Sequence, residues 1–215
     1  REINRLRPDL PDAVRDVRIR KGQPGYTNII QFALTGDVGL QGGVHGDQEV
    51  DHAGPVDFPA GKGMHVGAHP HVGLQTFTWL IEGEVMHRDS LGNEQLIRPG
   101  QVNLMTAGRG IVHTEDSVAD GQRLHAAQLW IALPPEAEDC PPDFAHHPVL
   151  PQWQAHGAQL TLLAGTYGKA TAPTRLFSPL LGLDVASDGA TALKLELDPD
   201  FDERRLADGV DPERT

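Results

Sequence analysis

Cysteine and long hydrophobic runs are nearly absent from this chain. Cys140 is the single cysteine among 215 residues. One thiol can form neither an internal disulfide nor a zinc site built from several thiolates, and such sparing use of cysteine is typical of a reducing compartment. No apolar run reaches the roughly 18 residues that span a membrane, and the N-terminal segment is polar. We therefore predict a cytoplasmic protein that has no contact with membranes.

Positive charge is also scarce. The chain has 18 Lys and Arg residues against 30 Asp and Glu residues, which gives a formal net charge of -12. Nucleic acids are held largely by basic side chains that neutralise phosphates. We therefore expect no direct binding of DNA or RNA, and any macromolecular partner should be a basic protein.

Turn-forming residues, in contrast, are abundant. The 24 glycines and 17 prolines separate short apolar or alternating segments, a pattern typical of an all-β sandwich or barrel. Residues 38–63 show little periodicity, and we interpret them as a long loop. The predicted strands before the proline-rich region are residues 27–34, 73–81, 84–88, 95–97, 102–106, 110–114 and 124–133.

A change in composition suggests a domain boundary. Residues 134–151 combine six prolines with acidic side chains, which indicates a linker between an N-terminal barrel (1–133) and a C-terminal piece (152–215). The C-terminal piece has three predicted strands, near 160–167, 180–186 and 192–197, followed by a charged tail. Three strands cannot close a barrel alone. This piece must pack on the first barrel, borrow strands from elsewhere, or be the remnant of a longer chain.

Two pairs of residues could supply metal ligands. His69 and His71 are two positions apart, as are His113 and Glu115. Side chains at positions i and i+2 of a β-strand project to the same side. Three imidazoles and one carboxylate suit a divalent first-row metal and leave coordination positions for substrate. Because the chain has 11 histidines, this spacing alone is weak evidence.

Several other residues near the two pairs are not expected to be metal ligands. His65 has the parity of the first histidine pair, but it lies beyond Gly67, where an irregular backbone is expected, so we do not expect it to bind. His87 precedes a turn and is expected at the surface or behind the ligands. Phe77 and Trp79 also share the parity of that pair, and we expect them to fill the barrel interior.

Longer motifs surround the two pairs and resemble those of the pirin family, a branch of the cupin superfamily. The resemblance is close over residues 58–116 and looser over 124–197. It is carried by His69-Pro70-His71-Val72-Gly73, Leu80-Ile81-Glu82-Gly83-Glu84, His87-Arg88-Asp89-Ser90-Leu91-Gly92 and Met105-Thr106-Ala107-Gly108-Arg109-Gly110-Ile111-Val112-His113-Thr114-Glu115.

The resemblance implies a bicupin in which a double-stranded β-helix, or jelly-roll, barrel is followed by a partial C-terminal cupin domain. Its metal ligands would be His69, His71, His113 and Glu115. The chain departs from the family at Gln75, which stands where ordinary cupins place a glutamate ligand. It also stops before the family's second barrel normally ends.

Quercetin 2,3-dioxygenase activity is the function that this resemblance implies. The substrates would be a small aromatic enol and O2. The metal would be Fe(II), although Mn, Co, Ni, Cu or Zn are also compatible with these ligands. Glu115 would be a metal ligand, a proton acceptor or both. Two alternatives stay open. One is a non-enzymatic iron-dependent co-regulator that binds a protein partner and responds to the oxidation state of the metal. The other is a metal-free cupin isomerase, which the convergence of four ligands disfavours.

Overall fold

The computed structural model describes residues 14–19, 27–35, 51–187, 191–196 and 201–207. These residues form strands and connecting turns without any helix, and every ladder between neighbouring strands is antiparallel. The all-β prediction is confirmed. In the same residues, no helix has the length and apolar character needed to cross a membrane.

The N-terminal half of the fold is a sandwich of two sheets. One sheet has the order β11-β8-β5-β10-β3 and the other β4-β9-β6-β7. Buried apolar side chains fill the space between them, in clusters around Leu80 and Met105. The strands, numbered in chain order, are β3 (Asp51–Asp57), β4 (His65–His71), β5 (Leu74–Glu82), β6 (Val85–Asp89), β7 (Glu94–Ile97), β8 (Val102–Thr106), β9 (Ile111–Ser117), β10 (Arg123–Ala132) and β11 (Asp143–His147).

The other half of the fold consists mainly of C-terminal strands, joined by the first two strands of the chain. It contains a second five-stranded sheet with the order β12-β13-β16-β2-β18, and two further strand pairs, β1-β17 and β14-β15. Its strands are β1 (Val14–Ile19), β2 (Thr27–Thr35), β12 (Gln152–Ala155), β13 (Ala158–Ala164), β14 (Thr166–Tyr167), β15 (Ala170–Thr171), β16 (Leu180–Ser187), β17 (Thr191–Glu196) and β18 (Phe201–Ala207).

Strand pairing differs from the predicted division of the chain at its N-terminal end. β1 and β2 fall within the predicted first domain, yet β1 pairs with β17 and β2 lies between β16 and β18. The C-terminal strands thus borrow strands from elsewhere, one of the three possibilities raised by the sequence. The physical reason is that pairing with β2 satisfies the backbone edge that β16 would otherwise leave open.

Three further strands lie in segments predicted to lack them. β3 lies within the predicted loop 38–63, whose residues 38–50 are outside the described part of the chain; β11 lies within the predicted linker; and β18 lies within the charged tail. Because β11 pairs with β8, part of the proline-rich stretch belongs to the first large sheet.

The two large sheets pack against each other through a shared apolar cluster. Phe77 and Trp79 from β5 contact this cluster, as do Leu163 from β13 and Leu180 from β16. The prediction that both aromatic residues fill the core is confirmed, but the core they fill lies between the two large sheets and not inside the first barrel. Gly73 has a φ of 66° and separates β4 from β5, so the alternation of side chains does not continue from one strand into the next.

Candidate metal centre

Three of the four predicted ligands converge on the paired strands β4 and β9. His69 lies directly opposite His113 in the antiparallel ladder. One ring nitrogen from each of His69, His71 and His113 lies within 4.8 Å of the others, and Nε2 of His71 is 3.1 Å from Nε2 of His113. His71 and His113 are buried, whereas His69 is partly exposed. The cluster is therefore held inside the sandwich and has one accessible side.

A β-bulge in β4 determines which histidines enter the cluster. The register advances by three residues on β4, from Val66 to His69, while it advances by two on β9. The extra residue brings Val66 opposite Glu115 and leaves His65 opposite Asp116. His65 is exposed and forms an ion pair with Asp116. It lies outside the histidine cluster, as the sequence predicted.

Glu115 lies in a second group that overlaps the first. Its carboxylate and ring nitrogens of His87 and His113 lie within 4.8 Å of one another. Nε2 of Gln128 donates hydrogen bonds to both carboxylate oxygens, at 3.2 and 3.3 Å. Among the described residues, the structure thus forms two groups of three that share His113, and no single group contains all four predicted ligands.

His87 is a site residue whose contacts the sequence did not predict. Its side chain is only 3% exposed, so the predicted surface position is wrong. Its Nδ1 lies 3.4 Å from Nδ1 of His113, its Nε2 lies 3.1 Å from Oδ2 of Asp89, and its ring stacks on Phe144. The signal available in the sequence was the His87-x-Asp89 spacing, which has the same period of two as the other pairs.

Burial favours the neutral form of His71 and His113. It lowers the pKa of His113 to about 3, with further contributions from His69, His87 and His71. Burial and the nearby His69 also lower the pKa of His71. For Glu115, burial raises the pKa, although the hydrogen bonds from Gln128 oppose this shift. A neutral imidazole has a nitrogen lone pair available, and this is the form of histidine that binds metals.

The donor set fits a divalent metal. Nδ1 of His69 donates a hydrogen bond to the carbonyl oxygen of Gly67, at 2.9 Å, which in the neutral ring leaves the lone pair on Nε2. Lone pairs on His71 and His113 would face each other across 3.1 Å, an arrangement that a shared cation would stabilise. Gln75 is turned elsewhere, because its amide nitrogen donates to Thr106 and to the carbonyl oxygen of Arg175.

An antiparallel sandwich that carries this histidine cluster on paired strands defines the chain as a cupin. The family model for Pirin matches residues 45–131. The chain belongs to the pirin family, as its motifs predicted.

Individual relatives agree with this assignment. The chain is 62% identical over 153 residues to "Putative quercetin 2,3-dioxygenase PA1205" of Pseudomonas aeruginosa, an alignment covering 71% of this chain and 49% of the relative. It is 42% identical over 139 residues to a "Pirin-like protein" of Caulobacter vibrioides, covering 61% and 48%. The chain spans about half the length of the curated relatives it matches.

A solved structure shares the fold over most of this chain. The crystal structure of quercetin 2,3-dioxygenase from Acinetobacter baumannii superposes with a TM-score of 0.61 and 34% sequence identity. The match covers 87% of this chain and 76% of that one. The cupin fold predicted from the motifs is thereby confirmed.

Proposed function

We propose that the chain binds a divalent first-row metal through His69, His71, His113 and Glu115 and supports oxygen-dependent cleavage of a flavonol such as quercetin. The observation that carries this proposal is the convergence of three histidine nitrogens within 4.8 Å, with one of these histidines, His113, also near the half-buried carboxylate of Glu115. The names of the Pseudomonas and Acinetobacter relatives support the substrate class. Iron(II) is the first choice of metal, and Mn, Co, Ni, Cu and Zn are compatible with the same donors.

The charge of the ligand set favours an anionic substrate. Three neutral imidazoles and one carboxylate would leave a divalent ion with a net charge of about +1. When bound, such a cation supplies Lewis acidity and, in the case of iron, a redox centre for dioxygen. A deprotonated flavonol carries its negative charge on an enolate oxygen, so the positively charged site would attract the enolate.

Glu115 is the residue placed to accept the flavonol proton. Burial raises the pKa of its carboxyl, which makes the carboxylate a stronger base than an exposed glutamate. Gln128 donates to both of its oxygens and holds the carboxylate in place. The half-buried ring of Trp130 packs edge-on against His71, with 5.1 Å between ring centroids, and gives the site an apolar wall.

Oxygen uptake tests the enzymatic part of the proposal. Iron-loaded wild-type protein should consume oxygen in the presence of quercetin, and His71→Ala should abolish this consumption. His65→Ala is the matched control, because that histidine is exposed and lies outside the cluster; it should retain wild-type uptake. If iron-loaded wild type consumes no oxygen above background, the dioxygenase proposal fails. Elemental analysis after anaerobic purification tests the metal site separately.

The alternative of an iron-dependent co-regulator stays a prediction from the family resemblance, because no contact in the described part of the chain identifies a partner surface. The cytoplasmic location likewise stays a prediction from the sequence.

A further inference from the structure

We infer that His87 and Asp89 form a positioning relay that fixes the proton of His113 on Nδ1 and leaves Nε2 free to coordinate a metal. This inference rests on the proposed metal site and assigns a role to two residues outside the proposed ligand set. The relay consists of two contacts, one between the Asp89 carboxylate and the His87 ring and one between the His87 and His113 rings.

Asp89 anchors the relay as an ionised acceptor. Its side chain is fully buried, and its Oδ1 accepts hydrogen bonds from the backbone N–H groups of Leu91, at 2.9 Å, and Asn93, at 3.1 Å. The side-chain amide of Asn93 donates to both carboxylate oxygens. Burial alone would raise the pKa of Asp89, but these hydrogen bonds and the one from His87 outweigh it and lower the pKa.

An ionised carboxylate determines the tautomer of each ring in turn. Oδ2 of Asp89 can only accept, so Nε2 of His87 must carry the proton that it donates across 3.1 Å. The proposed relay takes His87 as a neutral imidazole with one ring proton, so that its Nδ1 is then an acceptor. Nδ1 of His113, 3.4 Å away, must therefore be the donor. The remaining nitrogen, Nε2 of His113, holds a lone pair and faces Nε2 of His71.

Packing keeps His87 in the orientation that the relay requires. Its ring stacks on Phe144 of β11, with centroids 4.4 Å apart and an interplanar angle of 17°. β6 and β9 are neighbours in one sheet, with His87 opposite Glu115 and Asp89 opposite His113. Because His87 contacts Nδ1 of His113 and His71 contacts Nε2, the two histidines address different nitrogens of the same ring.

Nitrogen-15 NMR of metal-free protein reads the tautomers directly. In wild type, His113 should be the Nδ1–H tautomer. In Asp89→Asn, the backbone donors at Oδ1 should hold the amide oxygen there and turn the NH2 group toward His87. His87 would then accept at Nε2 and donate from Nδ1, which should shift His113 toward its Nε2–H form.

Zinc affinity, measured by competition with a chelator, provides a second readout. Asp89→Asn and His87→Leu should each weaken zinc binding by about 10- to 100-fold. His87→Gln can still accept from His113 and donate to Asp89, so it should bind zinc more tightly than His87→Leu. Glu94→Gln is the matched control, since it removes an exposed carboxylate near the relay without touching it; it should behave as wild type.

Two results would overturn the relay. One is an Nε2–H tautomer at His113 in metal-free wild type. The other is an Asp89→Asn variant with unchanged tautomers and unchanged zinc affinity. If wild type binds no zinc, iron or other first-row metal, the proposed function fails, while the tautomers of the metal-free protein still decide the relay.

Discussion

At the scale of single residues, Glu115 contributes the carboxylate of the proposed ligand set. Glu115→Gln keeps the shape of the side chain but removes its charge and its basicity. We expect metal retention to fall by at least about 10-fold and turnover to be lost. Elemental analysis after dialysis and oxygen uptake with quercetin measure the two effects. Asp116→Asn, one position along β9 and paired with the exposed His65, is the control. Tight iron binding with full activity in Glu115→Gln would contradict the assigned role.

The buried histidines should make the metal-free protein less stable in acid. Their pKa values are lowered from 6.5, to about 3 in the case of His113, and burial also lowers those of His71, His146 and His147. Between pH 6.5 and about 3, the unfolded chain therefore binds more protons than the folded one, and the free energy of unfolding falls as the pH falls. Glu115, with its raised pKa, opposes this trend at pH values above its unfolded pKa of 4.5.

Thermal unfolding in the presence of a chelator should accordingly give a lower Tm at about pH 5.5 than at about pH 7. His113→Asn should show a smaller difference, because it removes the most strongly shifted histidine. An equal pH dependence in the variant and the wild type would contradict the assignment of this effect to His113.

The histidine pairs could be predicted because the period of a strand is local information. His69 with His71, and His113 with Glu115, each lie within one strand. The exclusion of His65 could be anticipated from Gly67, where the bulge occurs. The contact of His87 with His113 could not be predicted, because it depends on which strand lies beside β9 and on which face of that strand turns inward.

At the scale of elements, four of the strands that the sequence missed are edge strands of the two large sheets. β3 and β11 are the two edges of the first large sheet, and β12 and β18 are the two edges of the second. Central strands such as β5, β8 and β16 are almost continuously buried and rich in apolar residues, so their pattern is stronger. Edge strands tolerate proline and charge, as in Pro55 of β3 and the charged residues of β18, and such residues hide the strand pattern.

The turn between β8 and β9 depends on Gly108. This glycine has a φ of +50°, and a Cβ atom there would lie 2.1 Å from the carbonyl oxygen of Cys140. Gly108→Ala should therefore lower the free energy of unfolding by about 3 kcal/mol, from backbone strain together with overlap. Gly92→Ala is the matched control: its φ is +89° but a Cβ would meet nothing within 4 Å. It should cost only about 1 kcal/mol.

Urea denaturation measures both glycine variants. Equal losses in Gly108→Ala and Gly92→Ala would show that the contact with Cys140 contributes nothing and that only the backbone conformation matters. A larger loss in Gly108→Ala would establish that this turn is fixed by the segment that precedes β11.

At the scale of the whole molecule, pairing across long sequence separations ties the two halves together. β2 pairs with β16, and β1 pairs with β17, across most of the chain. The sequence indicated that the C-terminal strands needed partners but could not identify them, since pairing partners leave no local pattern. The apolar cluster between the two large sheets adds a second connection, through residues such as Phe77 and Leu163.

Because the two large sheets share this cluster, a cavity on the C-terminal side should destabilise both halves. Leu163→Ala removes a fully buried side chain and should lower the free energy of unfolding by about 2–5 kcal/mol. Hydrogen exchange followed by mass spectrometry should then show faster exchange in peptides from β5 and β10 as well as from β13 and β16. Val149→Ala, at a position that is 78% exposed, should leave exchange unchanged. Faster exchange confined to β13 and β16 would mean that the halves unfold independently and that the shared cluster does not couple them.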